Sequence, residues 1–219
     1  MSNWNERGKI FDADYYERGT QTGKSLYENY RWLPHLTFPL VMKMIDFLEI
    51  SPEKNHRILD FGCAKGYVVL ALRQLGYKAW GCDISQYALS QVPVEVKQYC
   101  SLNSEDNIIP FTGNDFDFVI GKDVLEHVEK EDMVNILKAL HFQAHNLFFV
   151  IPLAKNGKYI AVEHEFDITH IIREDANWWI DIFHKNGWGI KSFSYQVSGM
   201  KEQWKKYEKG IGFFVLEEL

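Results

Sequence analysis

Cysteine is sparse in this 219-residue chain. Cys63, Cys82 and Cys100 form no CxxC pair, and three thiols cannot close an even disulfide framework. They read as small buried thiols in a reducing compartment. Positive charge is also short: lysine and arginine total 24 against 30 aspartates and glutamates, a formal net charge of −6. The overall field therefore repels nucleic acid and anionic membrane, and Lys201, Lys205, Lys206 and Lys209 make only a modest basic group against it. No apolar run approaches the ~20 residues needed to span a bilayer. The stretch from Met1 to Asp12 is polar with both signs of charge, unlike a signal sequence, so a soluble cytoplasmic protein is expected. Internal repeats and low-complexity tracts are absent as well.

What is present is enough apolar material, 46% of residues, for one sizeable core, and the length fits one elaborated domain at roughly 100–200 residues per domain. Aromatic residues reach 15%, and Tyr15, Tyr16, Tyr27, Tyr30 and Trp32 lie outside the expected core strands. They suit a lid or pocket wall, or an N-terminal arm packed on the domain.

Pro39 precedes a helical spacing of Leu40, Val41, Met44, Ile45 and Leu48, which Ser51-Pro52 ends. Arg57 to Phe61 reads as a strand, Gly62 to Gly66 as a turn, Val68 to Leu75 as a helix stopped by Gly76, and Ala79 to Asp83 as a second strand. A helix near Gln86 to Val92 and a third strand from Val94 to Tyr99 follow. Phe116 to Ile120 and Leu147 to Ile151 are strands four and five, flanking a helix marked by Met133, Ile136, Leu137 and Leu140. A helix from Asn177 to Lys185 and late strands over Ile190 to Val197 and Gly212 to Leu216 complete the chain. Such alternation predicts an α/β fold with a mostly parallel sheet and helices on both faces.

In open parallel sheets ligands sit beyond the carboxyl ends of the strands, which directs attention to Asp60-Phe61-Gly62-Cys63-Ala64-Lys65-Gly66. Its glycine spacing and lack of a Lys-Ser/Thr pair exclude Walker A. Ala64 and Tyr67 break the dinucleotide fingerprint GxGxxG. Asp83, 21 residues after Gly62, is placed to accept from ribose hydroxyls, as in several cofactor classes. Asp60 discriminates among them, because a carboxylate at the exit of strand one repels a pyrophosphate and attracts a cationic, phosphate-free ligand. S-adenosylmethionine, with a sulfonium, an ammonium and no phosphate, has that chemistry.

Asp60-x-Gly62-x-Ala64-x-Gly66, then Asp83, then Phe116-Asp117-Phe118-Val119 leading into Asp123-Val124-Leu125-Glu126-His127-Val128, resembles the class I S-adenosylmethionine-dependent methyltransferases over roughly Phe38 to Ile151. The resemblance implies a Rossmann-like seven-stranded sheet with an antiparallel last strand. Residues 1–37 would form an N-terminal arm or lid on the cofactor site and 38–219 the methyltransferase domain. It also implies that Asp60, Gly62, Cys63, Ala64 and Gly66 lie along the methionine part of the cofactor, that Asp83 with Ile84 meets the ribose, and that Asp123 and Val124 border the cofactor near strand four. Two positions depart from the pattern. Ala64 replaces a common glycine, which a methyl group tolerates if the backbone angles stay ordinary. Cys100-Ser101-Leu102 replaces an aspartate that often meets the adenine, leaving Ser101, Leu102 or backbone for that contact.

Methyl transfer from a sulfonium is an in-line displacement, so positioning supplies much of the catalysis and a base is needed only where the nucleophile must lose a proton. The resemblance puts His127 near the reacting end, where a neutral imidazole can take that proton. Asp123, Glu126 and His127 also have the spacing of a divalent-metal set, although most sequences with this element bind none, so no metal is expected. A second cluster, Glu163-His164-Glu165-Phe166-Asp167-Ile168-Thr169-His170 with Trp178-Trp179 beyond, follows strand five, where connections shape acceptor pockets. It resembles methyltransferases of bacterial glycan pathways. His170 joins His127 as a catalytic candidate, and Tyr16, Arg31, His164, Asp167 and Trp178 are acceptor candidates. The expected partner is a small molecule, a sugar or nucleotide sugar, with no nucleic acid and no membrane. A protein or RNA methyltransferase and a non-catalytic cofactor-binding subunit are the rivals. Oligomeric state does not follow from the residues.

Overall fold

A computed structural model describes residues 4–111 and 115–219; residues 1–3 of the polar N-terminal stretch lie outside them. Three short helices, α1 (Trp4–Ile10), α2 (Ala13–Glu17) and α3 (Gly19–Thr22), precede α4 (Pro34–Phe47). Then come β1 (Arg57–Phe61), α5 (Tyr67–Gln74), β2 (Lys78–Asp83), α6 (Gln86–Ser90), β3 (Cys100–Leu102), β4 (Phe116–Lys122), α7 (Lys130–His141) and β5 (Ala144–Pro152). A small hairpin, β6 (Ala154–Lys155) with β7 (Lys158–Tyr159), leads to α8 (Ala176–Lys185), β8 (Trp188–Ser194) and β9 (Ile211–Glu218). The main sheet has seven strands in the order β3-β2-β1-β4-β5-β9-β8. Its first five strands run parallel, and β9 is antiparallel to both β5 and β8.

Alternation along the strands divides the core in two. Leu59 and Phe61 of β1, with Leu147, Phe149 and Ile151 of β5, pack under α7 and α8 on Met133, Ile136, Trp179 and Phe183. Ile58, Phe148 and Val150 face the other way, against α4 and α5 through Val41, Met44, Val69 and Leu72. A third cluster joins Phe11, Tyr15 and Tyr16 to Ala88, with Tyr27, Tyr30, Ala64 and Ile84 packed on it, so residues 4–31 lie over the carboxyl ends of β1 and β2. Among the described residues no helix is long and apolar enough to cross a membrane.

Several elements differ from the sequence expectation. The third strand is not Val94 to Tyr99. Pro93 starts a turn closed by Val96 N–H on its carbonyl at 3.0 Å, and Lys97–Tyr99 is a 3-10 turn. Val94, 83% exposed, has no layer to pack against, so its strand propensity loses and β3 is only Cys100–Leu102. The first long helix begins at Pro34, whose missing N–H costs nothing at N1, and it carries Pro39 inside it. The boundary expected between residues 37 and 38 therefore falls within α4. The late strands are also shifted, beginning at Trp188 and Ile211.

Candidate active site

At the end of β1 the chain must turn sharply into α5. Gly62 does so at a φ of 79°, and the N–H groups of Gly62 and Cys63 both donate to the carbonyl of Cys82 (2.8 and 3.0 Å), which ties the turn to the end of β2. Ala64 is also left-handed, at a φ of 48°. The ordinary angles its methyl group needed are not present, and this conformation costs about 1–2 kcal/mol for an L-residue. Its N–H donates to Asp83 Oδ2 at 2.7 Å, a charge-assisted bond that offsets the strain. Asp83 Oδ1 accepts from Ser85 N at 2.8 Å, so this carboxylate fastens two loops. Burial pushes the Asp83 carboxyl up to about 6 despite those N–H groups. Burial pushes Asp60 up further, to about 7, with Lys122 opposing and Asp83 adding to the rise.

A cleft with about 1160 Å³ of empty space, open to solvent at its mouth, lies beyond these strand ends. Asp60, Gly62, Cys63, Ala64, Asp83, Ile84, Asp123, Val124, His127 and Tyr16 line it. Other candidates lie off its wall. Gly66 caps α5 at a φ of 69°, backed by Cys100 Sγ and Val92. Ser101 and Leu102 pair with Cys82 and Asp83 on the edge strand β3, and the wall residue after them is Asn103, which the misplaced third strand concealed. Asn103 N–H donates to the Asp83 carbonyl at 3.1 Å, while its buried Oδ1 has no partner. Arg31 is exposed and donates to the Asn29 carbonyl (3.4 Å), because the arm turns back there at a left-handed Asn29. Trp178 sits on α8 under Lys130 Nζ, 5.0 Å from the ring centre, as the face of α8 dictates.

The other end of the cleft is walled by His127 from the loop after β4, and the loop after β5 packs behind it, so that Asp167 and His170, candidates in the sequence, are buried off the cleft wall. Ile171 and Ile172 N–H groups donate to the Glu126 carbonyl (2.9 and 3.1 Å), which seats the second predicted cluster against the first. His127 and His170 rings are 4.6 Å apart between centres. Thr169 Oγ1 donates to Asp167 Oδ1 (2.5 Å), and Tyr15 OH donates to Asp167 Oδ2 (3.0 Å). Having spent its one hydrogen, Thr169 Oγ1 accepts from His127 Nδ1 at 2.8 Å. His170 Nδ1 donates to the His164 carbonyl at 2.9 Å. Both rings are thereby oriented with Nε2 unprotonated, and burial keeps them neutral, bringing His127 down to about 3 and His170 below its usual range. His164 is stacked on Trp204 rather than facing the cleft, because it anchors the loop that carries His170.

Two cations missed in the sequence lie here. Lys122, at the end of β4, donates to Asp123 Oδ2 at 2.6 Å, and Lys201, 78 residues away, donates to the same oxygen. Burial alone would raise the Asp123 carboxyl, but the two ammonium groups hold it well below the carboxylate range. Lys122 was legible as a cation at a strand exit; nothing marks Lys201 within its polar, lysine-rich segment. The arm is fastened over the cleft by Arg7 on the His127 carbonyl (2.5 Å), Ser85 Oγ on the Phe11 carbonyl (2.5 Å) and Lys65 on Glu17.

The family model described as a methyltransferase domain matches residues 33–208. The chain belongs to this methyltransferase-domain family. It is an S-adenosylmethionine-dependent methyltransferase with a Rossmann-like fold. Similar solved structures include magnesium protoporphyrin IX methyltransferase from Synechocystis PCC 6803 with bound SAH, at 15% identity, TM-score 0.64, covering 99% of this chain and 100% of that one. A second is the putative methyltransferase in complex with the Haloferax volcanii Trm112 activator, at 12% identity, TM-score 0.64 and 96% coverage of each chain. A third, from work on converting a disulfide bond into a thioacetal group during echinomycin biosynthesis, has 18% identity, TM-score 0.65 and coverage of 96% and 92%. At these identities the likeness is one of fold. No curated protein sequence matches. The methyltransferase's cleft fits the donor on its own evidence: a buried Asp60 carboxylate for a cationic ligand, and an unpartnered Asn103 Oδ1 able to accept from an amino group.

Proposed function

We propose that this methyltransferase transfers a methyl group to oxygen or nitrogen of a small, carbohydrate-like acceptor, a sugar or nucleotide sugar. In this reading Asp60, Gly62, Cys63 and Ala64 hold the methionine part of the donor, Asp83 and Ile84 the ribose, and Asn103, in place of Ser101 and Leu102, the adenine. Asp123 and Val124 border the reacting end, and the bound donor supplies an electrophilic methyl. The observation that supports the acceptor class is His127 on the cleft wall beneath the aromatic arm, its ring held from behind by the buried row Tyr15–Asp167–Thr169. A hydroxylated small molecule can donate to the His127 Nε2 there, whereas a polymer would have to displace the arm. His127 presents its unprotonated Nε2 for the acceptor's proton, with His170 packed against it from behind.

Formation of S-adenosylhomocysteine is expected with members of a nucleotide-sugar panel and not with bulk RNA or protein. Methylation of RNA without any small-molecule turnover would refute the acceptor class.

The placement of Asp60 predicts a pH dependence of donor-site affinity. The ligand ammonium favours ionised Asp60, whose carboxyl sits at about 7 in the free protein. Below pH 7 binding must expel a proton, so the dissociation constant for S-adenosylhomocysteine should rise by up to about tenfold per pH unit, and level off above pH 7. Calorimetry in buffers of different ionisation heat should register release of up to about one proton at pH 6. A flat profile from pH 5.5 to 8 would remove Asp60 from the ammonium site.

A further inference from the structure

Glu126 is fully buried, yet neither carboxylate oxygen has a hydrogen-bond partner. A buried carboxylate without donors is costly, and such orphans mark places where a group is missing. One donor atom from each of Glu126, His127 and His170 lies within 4.8 Å of the other two, and His170 Nε2 is 3.9 Å from Glu126 Oε1. The two imidazoles bring no proton into the gap. Thr169 Oγ1 and the His164 carbonyl each take the Nδ1–H of one ring, leaving both Nε2 lone pairs bare. Histidines whose other nitrogen donates to a carbonyl or to a hydroxyl anchored by a carboxylate are oriented as metal ligands are. The neighbourhood holds three carboxylates, Asp123, Glu126 and Asp167, and its cations are already engaged, Lys122 and Lys201 by Asp123 and Arg7 by the His127 and Thr169 carbonyls.

We propose that Glu126, His127 and His170 form a binding site for one divalent transition-metal cation directly behind the His127 wall of the cleft. Two imidazole nitrogens and one carboxylate suit manganese, iron, cobalt or zinc rather than magnesium or calcium, and three protein ligands leave positions open for water or an acceptor hydroxyl. Closing the three donors to metal-bond lengths of about 2.0–2.2 Å requires a contraction of about 1 Å. Such an ion would supply Lewis acidity to a bound hydroxyl, in place of direct proton abstraction by His127. The inference rests on reading the two histidines as the acceptor end, but it is tested without an acceptor, so either can fail alone.

The full chain, stripped with a chelator, is titrated with Co²⁺ and followed by visible absorption, and with Zn²⁺ and Mn²⁺ by calorimetry. One ion per chain is expected, with nitrogen-ligand d–d bands. Glu126→Gln and His170→Ala should each weaken binding at least about tenfold, and Thr169→Val, which frees the His127 ring, by about tenfold. S-adenosylhomocysteine affinity of each variant reports whether it folds. If Glu126→Gln is lost to misfolding, His170→Ala and the Co²⁺ spectrum of the parent still decide. Sub-stoichiometric binding, or binding unchanged in both ligand variants, overturns the site.

Discussion

Replacing Asp123 with alanine is expected to cost about 3 kcal/mol of stability, the lower end of the roughly 3–5 kcal/mol seen when one partner of a buried ion pair is removed. The substitution leaves two ammonium groups facing each other without the carboxylate oxygen they share. Lys201 and Asp123 keep only 12% and 15% of their side-chain exposure, while Lys122 keeps 28% and can partly rehydrate, which places the cost at the lower end. For a chain of this length that amounts to a melting-temperature drop of roughly 6–12 °C. Adding Lys201→Met should recover part of the loss, because the buried charge that lost its partner is then absent too. A cost below about 1 kcal/mol, or no recovery in the double variant, would mean that water already screens the cluster.

The second large effect is expected at Gly62. An added Cβ would stand 2.5 Å from Val124 Cγ2 and 2.9 Å from Val124 Cβ, at a backbone φ of 79°. Gly62→Ala therefore carries about 1–2 kcal/mol of backbone strain and a clash that the turn relieves only by moving about 1 Å. Misplacement on that scale costs on the order of 100-fold where a ligand must be held in register. The affinity for S-adenosylhomocysteine should fall by about that factor. In the Gly62→Ala background, Val124→Ala removes the clash but not the φ penalty, so partial recovery is expected. Affinity within about threefold of the parent would show that the donor does not lie along this turn.

These tests fall on residues that differ in how readable they were. The places of Gly62, Asp60 and Asp83 on the cleft wall were legible because a strand–turn–helix is local: the glycine is needed where the chain reverses, and both carboxylates follow from where strands end. The wall passes over Ser101 and Leu102 to Asn103 for the same reason, since the strand expected to end at Tyr99 ends three residues later at Leu102. Arg31 and Trp178 were chosen for their chemistry, but the turn at Asn29 and the face of α8 point them away from the cleft.

The chain's order of strands and helices, its mostly parallel sheet and the glycine turn after β1 were determined by the sequence itself, because periodicity and backbone angles act over a few residues. Only the tertiary structure decided how the two histidine-bearing loops meet. His127 meets Thr169 across 42 positions and Asp123 meets Lys201 across 78. The arm reaches His127 through Arg7 across 120. Those meetings depend on how the loops after β4 and β5 pack, through backbone bonds such as Ile171 to Glu126, and no local pattern encodes that path.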